Sequence, residues 1–278
     1  MTIAIDRRAK LSRSEFDAEY AAKSRPVILT DAIEHWPARR AWNLDYFERR
    51  FADKEVRVDN KTWRVGDFMA KLKLADGNGI TPYLKEVKLD EQWPELWDDV
   101  GDMPLASRNR LASRWLPSDM RIARGVVAVF IGSRGSGFRK LHWDYSYLHV
   151  FISQVYGPKD AILFHPKDTP HLYANPEYSN LSLITDPYNV DPAMFPDVAR
   201  ADPTHITIGA GETLFLPAGW WHATRITEPS IAIAESTLDA FNWKLRGDWY
   251  LDRYATEGMP WIKRAALRAY LGLAGAVI

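Results

Sequence analysis

The feature that most constrains the fold is a series of short apolar runs between residues 122 and 237, each bounded by Gly, Pro, Asp or Asn. Many short strands at this spacing are typical of a barrel or sandwich, whereas a doubly wound sheet needs helical crossovers between parallel strands. The sequence therefore predicts an all-β centre. The predicted strands cover residues 126–131, 149–155, 161–164, 181–184, 205–208, 213–216, 222–226 and 231–235.

Helical patterns flank this centre. Ser12 or Ser14 before Glu15 predicts one helix start, and Asn43 predicts another, because these side chains can cap a first turn. Residues 85–102 carry more acids than bases and lose the apolar pattern, so we expect a surface connection with short helical turns. Residues 261–273 predict an amphipathic C-terminal helix. Its apolar face consists of Ile262, Ala265, Ala266, Ala269 and Leu273.

Charge and cysteine content exclude several classes of function. Lys and Arg total 36, as do Asp and Glu, so the net charge of zero argues against nucleic-acid binding through bulk positive charge. The chain has no cysteine, so any metal must be held by His, Asp or Glu. Residues 1–10 lack the apolar centre of a secretory signal, and no run is long enough to cross a bilayer. We therefore expect a cytoplasmic protein.

One histidine and one aspartate form a candidate metal-binding pair. His142 and Asp144 are two residues apart on an extended segment, so their side chains project to the same side and can share one metal. His222 follows a Gly-containing turn at the start of a predicted strand, which makes it the best candidate for a third ligand. Two histidines and one carboxylate on one face of an octahedron suit Fe(II) oxygenases, because three adjacent positions stay open.

Several motifs around these residues resemble those of the cupin-like Jumonji-C (JmjC) family of Fe(II)- and 2-oxoglutarate-dependent oxygenases. The order and spacing of the motifs also match the family, over roughly residues 20–240. This resemblance implies a double-stranded β-helix core of the cupin or jelly-roll type over residues 121–240. A mixed helix and strand region over residues 1–120 would pack on it, and residues 241–278 would form a helical segment. The motifs lie at residues 27–32, 35–37, 130–137, 141–144, 154–159 and 216–222.

The resemblance also implies roles for individual residues. His142, Asp144 and His222 would bind Fe(II), and Lys159 would bind the distal carboxylate of 2-oxoglutarate with help from Tyr83. A cation is needed there because a buried carboxylate must be paired.

The chain departs from the family pattern at three places. Phe138-Arg139-Lys140 stands where relatives often carry a threonine, and the segment after Asp144 is about two residues longer, which brings His149 or Val150 near the position of a pocket asparagine. Ser236 replaces an asparagine of the last core strand. These changes would reshape the pocket walls that face 2-oxoglutarate. Arg139, Tyr145 and Tyr147 are candidates for the substrate mouth.

The implied activity uses O2 and 2-oxoglutarate to hydroxylate a C–H bond, with release of succinate and CO2. We expect a protein or peptide side chain as the substrate, and a small molecule or modified tRNA as alternatives; hydroxylation next to a methylated nitrogen would give demethylation. A non-catalytic cupin-like binding module, or a metal-dependent cupin enzyme without 2-oxoglutarate, are the competing interpretations. The C-terminal helix would form a homodimer contact, as in several relatives, or pack on its own domain; a membrane-surface contact is a further alternative.

Overall fold

The computed structural model of this chain describes residues 4–106 and 108–277. Its strands form a seven-stranded sheet, a three-stranded sheet and a two-stranded hairpin. The strands are β1 (Asp6–Arg8), β2 (Val27–Leu29), β3 (Glu55–Val58), β4 (Lys61–Arg64), β5 (Leu84–Lys88), β6 (Val127–Gly132), β7 (His149–Tyr156), β8 (Lys159–Phe164), β9 (Thr204–Ile208), β10 (Thr213–Leu216), β11 (Trp221–Arg225) and β12 (Ser230–Thr237). The α-helices are α1 (Arg13–Phe16), α2 (Ala38–Ala41), α3 (Leu44–Phe51), α4 (Val65–Lys73), α5 (Leu89–Gln92), α6 (Trp243–Thr256) and α7 (Trp261–Val277).

The larger sheet has the order β1-β2-β10-β7-β12-β6-β5, and the smaller sheet has the order β11-β8-β9. All of these pairs are antiparallel except β1 with β2. Apolar side chains of β7, β10 and β12 meet those of β8 and β9 in one buried cluster between the sheets. The predicted mainly β fold with flanking helices and a jelly-roll core is confirmed. The three predicted segment boundaries stay a prediction, and β1, β2 and β5 from the first 120 residues belong to the same sheet as the core strands.

Alternation along each strand decides which side chains face the space between the sheets. Val150 and Ile152 of β7 point inward, whereas Phe151 packs with the apolar side chains of α3 and α4 on the outer face of the larger sheet. In the smaller sheet, Trp221 points outward into a cluster with Trp143. The inner space is therefore closed by apolar layers on both sides.

The predicted helix starts agree with the structure. Ser12 caps α1 and forms a reciprocal capping box with Glu15. The side chain of Asn43 accepts a hydrogen bond from the backbone N–H of Tyr46 at the start of α3. These local contacts are readable from sequence because each involves residues only three positions apart.

Two local predictions are wrong. Residues 181–184 make only isolated bridges, because the N–H groups of Ser182 and Leu183 donate to two different segments, at Leu141 and Tyr173. Residues 85–102 contain the predicted short helical turns, at α5 and at Pro94–Leu96, but they are not a surface connection, since they also contain most of β5 and the fully buried Trp93. Several acidic residues of that segment are exposed, such as Glu91 and Asp98, so its composition resembles that of a surface loop.

The C-terminal helix α7 packs on the chain through a face that includes Leu271 and Ala274. The predicted apolar face lies on the other side, where Ile262 is 63% exposed and Leu273 is 72% exposed. In the part of the chain that the structure describes, no helix is both long enough and apolar enough to span a membrane.

Candidate metal centre

The two histidines of the predicted metal site lie directly opposite each other. His142 and His222 form an antiparallel bridge, in which the N–H of each donates to the carbonyl of the other at 3.0 and 2.6 Å. Residues paired in this way project their side chains to the same face. The two imidazole ring centroids are accordingly 4.2 Å apart.

Asp144 completes a cluster of three possible ligands. It follows His142 on extended backbone and directly precedes a short 3₁₀ turn, Tyr145–Tyr147. One ligand atom from each of His142, Asp144 and His222 lies within 4.8 Å of the other two. The structure therefore brings together three residues from two distant parts of the chain in the arrangement that the sequence predicts.

The hydrogen bonds of the two imidazoles leave the correct nitrogen free for a metal. His142 Nδ1 lies 2.8 Å from the carbonyl of Lys140, and His222 Nδ1 lies 3.2 Å from the carbonyl of Trp220. A carbonyl can only accept, so each Nδ1 carries a hydrogen and each Nε2 keeps its lone pair. Burial lowers the pKa of His142 to about 3 and that of His222 to about 4, with the neighbouring His222 lowering the His142 value further. Both rings are therefore neutral at neutral pH, as metal ligation requires.

The carboxyl group of Asp144 is also suited to a cation. Burial raises its pKa, and the negative charge of Glu86 adds to this effect, whereas His142 lowers the value. Among residues 4–106 and 108–277 we find no hydrogen-bond donor to this carboxylate. A buried carboxylate without a partner is costly, and a divalent cation would remove that cost. The three side chains thus fit an Fe(II) ion in both donor type and protonation.

A cleft lies between the two sheets at this cluster. Its walls are mainly apolar, which favours exclusion of water around the three polar ligands. The lining residues are Tyr83, Glu86, Phe130, Phe138, His142, Asp144, Val150, Ile152, Lys159, His222, Thr224 and Ala234.

Lys159 brings a positive charge into this cleft. It is only 3% exposed, and its Nζ lies 5.5 Å from the ring centroid of Phe130 and 5.9 Å from that of Tyr83. No carboxylate in the described parts of the chain lies within ion-pair distance of it. Burial lowers the pKa of Lys159 to about 7. A buried ammonium group without a counter-ion is a site for an anionic ligand.

Tyr83 lies in the same cleft, where burial raises the pKa of its phenol. Its ring packs beside Phe130, with centroids 6.1 Å apart. Tyr83 and Lys159 thus lie in the same cleft, although they are far apart in the sequence. Their position fits the predicted contact with a carboxylate.

His149 and Ser236 do not line the cleft. His149 lies on the opposite face of β7 from Val150, where its Nδ1 accepts a hydrogen bond from the Ala218 N–H at 2.9 Å and its ring packs on Phe215. Ala234 lines the cleft, and Ser236, two positions further along β12 and opposite Val150, is on the same face of the strand. The predicted contacts of both residues with 2-oxoglutarate stay predictions, and for His149 the geometry gives no support.

The three candidates for the substrate mouth also lie outside the lining. Arg139 approaches Asp186 at 3.7 Å. Tyr145 is exposed and packs edge-on against Trp249 of α6, and Tyr147 stacks on Trp143 with ring centroids 4.3 Å apart. These aromatic residues connect the segment after Asp144 to α6.

Sequence reasoning missed several residues that form the cleft, and two of them lie beside the polar groups. Phe138 stacks on the metal-site residue His142, with ring centroids 4.3 Å apart. Glu86 places a second carboxylate in the cleft, outside the three-residue cluster. The departure from the family pattern at residues 138–140 indicates that this wall of the cleft is altered. Nothing in the sequence around Glu86 indicates that its side chain lines the cleft.

Comparison with known proteins agrees with this geometry. At 24% identity over 262 residues, the chain resembles Lysine-specific demethylase JMJ21 of Arabidopsis thaliana, covering 86% of this chain and 26% of the relative. At 25% identity over 240 residues, it resembles Jumonji C domain-containing protein 5 of Drosophila melanogaster, covering 80% and 57%. JmjC domain-containing protein 8 of Homo sapiens is 28% identical over 236 residues, covering 83% and 82%. The chain thus spans less than two thirds of the first two relatives.

A family model described as a cupin-like domain matches residues 13–235. The matched segment includes the smaller sheet, all strands of the larger sheet except β1 and the end of β12, and all three residues of the metal cluster. The predicted resemblance is confirmed: the chain belongs to the family of cupin-like domains, among relatives named as JmjC domain-containing proteins.

Proposed function

We propose that this chain is an Fe(II)- and 2-oxoglutarate-dependent oxygenase that hydroxylates a C–H bond of a protein or peptide side chain. The observation that carries the proposal is the combination, in one cleft, of a His142, Asp144 and His222 cluster with a buried, unpaired Lys159. A metal site alone would serve many reactions. The buried cation adds a need for an anion of the kind that 2-oxoglutarate supplies.

In this proposal the three side chains would hold Fe(II), the histidines through their Nε2 atoms and Asp144 through its carboxylate. The carbonyls of Lys140 and Trp220 fix the two rings through Nδ1. Such second contacts orient the ligands and keep the required tautomer without a further proton transfer. Phe138 adds a packing contact that restrains the His142 ring.

Lys159 and Tyr83 would bind the distal carboxylate of 2-oxoglutarate. The ion pair between Lys159 and this carboxylate would remove the cost of burying an unpaired ammonium group. Bound Fe(II) and 2-oxoglutarate supply the oxidation, in which O2 and 2-oxoglutarate give succinate, CO2 and a hydroxyl group on the substrate. The chain's own contribution is to orient these groups and to exclude water with the apolar walls formed by Val150, Ile152 and Ala234.

The names of the relatives support a protein side chain as the substrate. They include lysine-specific demethylases and an arginine-specific demethylase, JMJ22 of Arabidopsis thaliana. Hydroxylation of an N-methyl group gives a product that loses the methyl group, so one oxidation serves both outcomes. A small-molecule substrate is the second candidate, and the balanced charge of the chain argues against nucleic acid. A cytoplasmic location is part of the same proposal.

Anaerobic titration of the purified protein with Fe(II) and then 2-oxoglutarate tests this function. We expect one equivalent of each to bind and a weak visible absorption band of the chelated keto acid to develop. Oxygen should then produce succinate. A protein that binds Fe(II) but neither binds 2-oxoglutarate nor forms succinate would instead be a metal-dependent cupin of another type or a binding module.

The exposed face of α7 gives a separate prediction about assembly. Ile262 and Leu273 lie on one side of the helix and are largely exposed in a single chain, so their burial in a homodimer would be favourable. We expect the double variant Ile262→Glu, Leu273→Glu to have half the native mass by light scattering. The variant Leu74→Glu, at a residue that is 81% exposed elsewhere, is the control and should keep the native mass. A monomeric native protein would reject the predicted dimer.

A further inference from the structure

The backbone of β5 has an irregularity beside the metal cleft. β5 pairs with β6 through Leu84 opposite Ile131 and Val87 opposite Val129, so two residues of β5 face the single residue Phe130. This is a β-bulge, and such bulges redirect side chains next to functional sites. The extra residue lets Leu84 and Val87 both remain buried in the core.

The bulge places Lys85 and Glu86 on the cleft side of the sheet. Phe130 lines the cleft, and the two residues opposite it are both exposed, whereas regular alternation would have turned one of them into the core. Glu86 has a φ of 57°, in the left-handed region that favours glycine. A side chain in this conformation requires an explanation, because glycine would be the less strained residue.

The charges of the cleft leave Glu86 unbalanced. As a sum over the cleft, the histidines are neutral, Asp144 and Lys159 contribute opposite charges without forming an ion pair, and the charges of bound Fe(II) and 2-oxoglutarate would cancel. Lys85 is directed to the Phe138 ring, with Nζ 4.9 Å from its centroid, and it does not line the cleft. Across the described ranges, 4–106 and 108–277, no side chain forms an ion pair or a hydrogen bond with Glu86.

Glu86 also lies where the metal cleft meets a second groove. It lines both the cleft and a groove between β3 and β5, whose other charged residues are Lys54, Glu55, Arg57 and Lys85. A segment of extended peptide in this groove would pass Glu86 as one of its side chains enters the cleft. The carboxylate of Glu86 is thus exposed where the cleft and the groove meet, whereas Lys159 is buried.

We propose that Glu86, presented by the β5 bulge, is a specificity-determining residue that selects substrates with a cationic nitrogen near the oxidised carbon. The inference rests on the proposed oxygenase function. In this inference the Glu86 carboxylate binds the ammonium or guanidinium group of the substrate side chain that enters the cleft. A charged hydrogen bond of this kind favours the cation over its neutral analogue by about tenfold or more.

Affinity selection of peptides tests this role without turnover. The protein is loaded with Zn(II) and 2-oxoglutarate and mixed with random-flank peptides that carry arginine, citrulline, lysine or norleucine at the central position. Retained peptides are counted by mass spectrometry. We expect the native protein to retain the arginine and lysine peptides about tenfold more than their neutral counterparts. Glu86→Gln should remove the preference, and Glu86→Lys should disfavour cationic peptides.

Two further variants separate the carboxylate from other effects. Glu55→Gln removes an exposed glutamate of the same groove that does not line the cleft, and it should keep the preference. Glu86→Gly should remove the preference while raising the melting temperature, because glycine relieves the left-handed backbone.

Each other outcome points to one of the two proposals. Equal retention by native protein and Glu86→Gln, or retention of neither peptide class by a protein that holds Zn(II) and 2-oxoglutarate, would overturn the role of Glu86. Failure of the native protein to bind the metal and 2-oxoglutarate would overturn the proposed function.

Discussion

Asp144→Ala should abolish Fe(II)-dependent oxidation while leaving the protein folded. Loss of an outer hydrogen-bonding partner of a metal ligand already weakens metal binding by about 10–100-fold, so loss of a ligand should weaken it by more than about a hundredfold. Fe(II) affinity by anaerobic titration and succinate formation under saturating 2-oxoglutarate measure the effect. We expect both signals to fall below detection at metal concentrations that saturate the native protein.

The metal-free stability of this variant separates ligand loss from misfolding. Burial raises the pKa of Asp144, so ionising this group costs stability above the ordinary pKa of an aspartate, and alanine removes that cost. The metal-free variant should therefore melt at the same temperature as the native protein or higher. Asp197→Ala, at an exposed aspartate outside the cluster, is the matched control and should keep native iron binding. Native turnover by Asp144→Ala would remove this residue from the site.

Part of the metal cluster could be predicted from sequence because the geometry of His142 and Asp144 is local. These two residues need only extended backbone to point the same way. His222 is 80 positions away from His142, and it is identified through the Gly-containing turn before it and through the resemblance of residues 216–222 to the JmjC family. The structure joins the two segments through one bridge, in which the backbones of His142 and His222 bond to each other. Seven of the eight predicted apolar runs are strands, because in each of them the apolar residues and the bounding turn residues predict the same element.

The walls of the cleft could not be predicted in the same way, because they depend on register. Whether His149 or Val150 faces the cleft is decided by the pairing of β7 with β10 and β12, and a shift of one residue would exchange them. The position of Glu86 could not be predicted either, because it depends on the bulge in the pairing of β5 with β6. Lys85 and Glu86 are consecutive charged residues that break the alternation of a strand, so the segment resembles a surface loop although it pairs with β6.

The buried Trp93 shows a second limit of sequence reasoning. Acidic residues surround it, yet its ring packs against Phe47 and Phe51 of α3, with centroids 5.5 and 5.6 Å away. The partners of Trp93 are more than 40 positions away in the sequence. Tertiary packing of this kind leaves no periodic signal in the segment itself.

Lys159→Met should abolish tight binding of 2-oxoglutarate while stabilising the protein without ligand. Removing one partner of a buried ion pair costs about 3–5 kcal/mol, which corresponds to a weakening of at least about a hundredfold. Calorimetric titration of 2-oxoglutarate into the metal-loaded protein measures the affinity. Lys167→Met, at a half-exposed lysine paired with Asp202, is the control and should bind 2-oxoglutarate as the native protein does. Native affinity in Lys159→Met would contradict the assigned carboxylate site.

The pH dependence of the ligand-free protein gives an independent check on Lys159. Burial lowers its pKa from 10.5 to about 7 in the folded state, so between these values the unfolded chain binds more protons than the folded chain. The free energy of unfolding of the native protein should therefore increase with pH across this window. Lys159→Met lacks the titrating group, so its free energy of unfolding should increase less over the same window. At about pH 8, one unit above the folded pKa, 2-oxoglutarate should bind with uptake of a proton, because the bound carboxylate favours the charged ammonium. Binding enthalpies in buffers of different ionisation enthalpy would measure this uptake, and its absence would show that Lys159 does not face the bound anion.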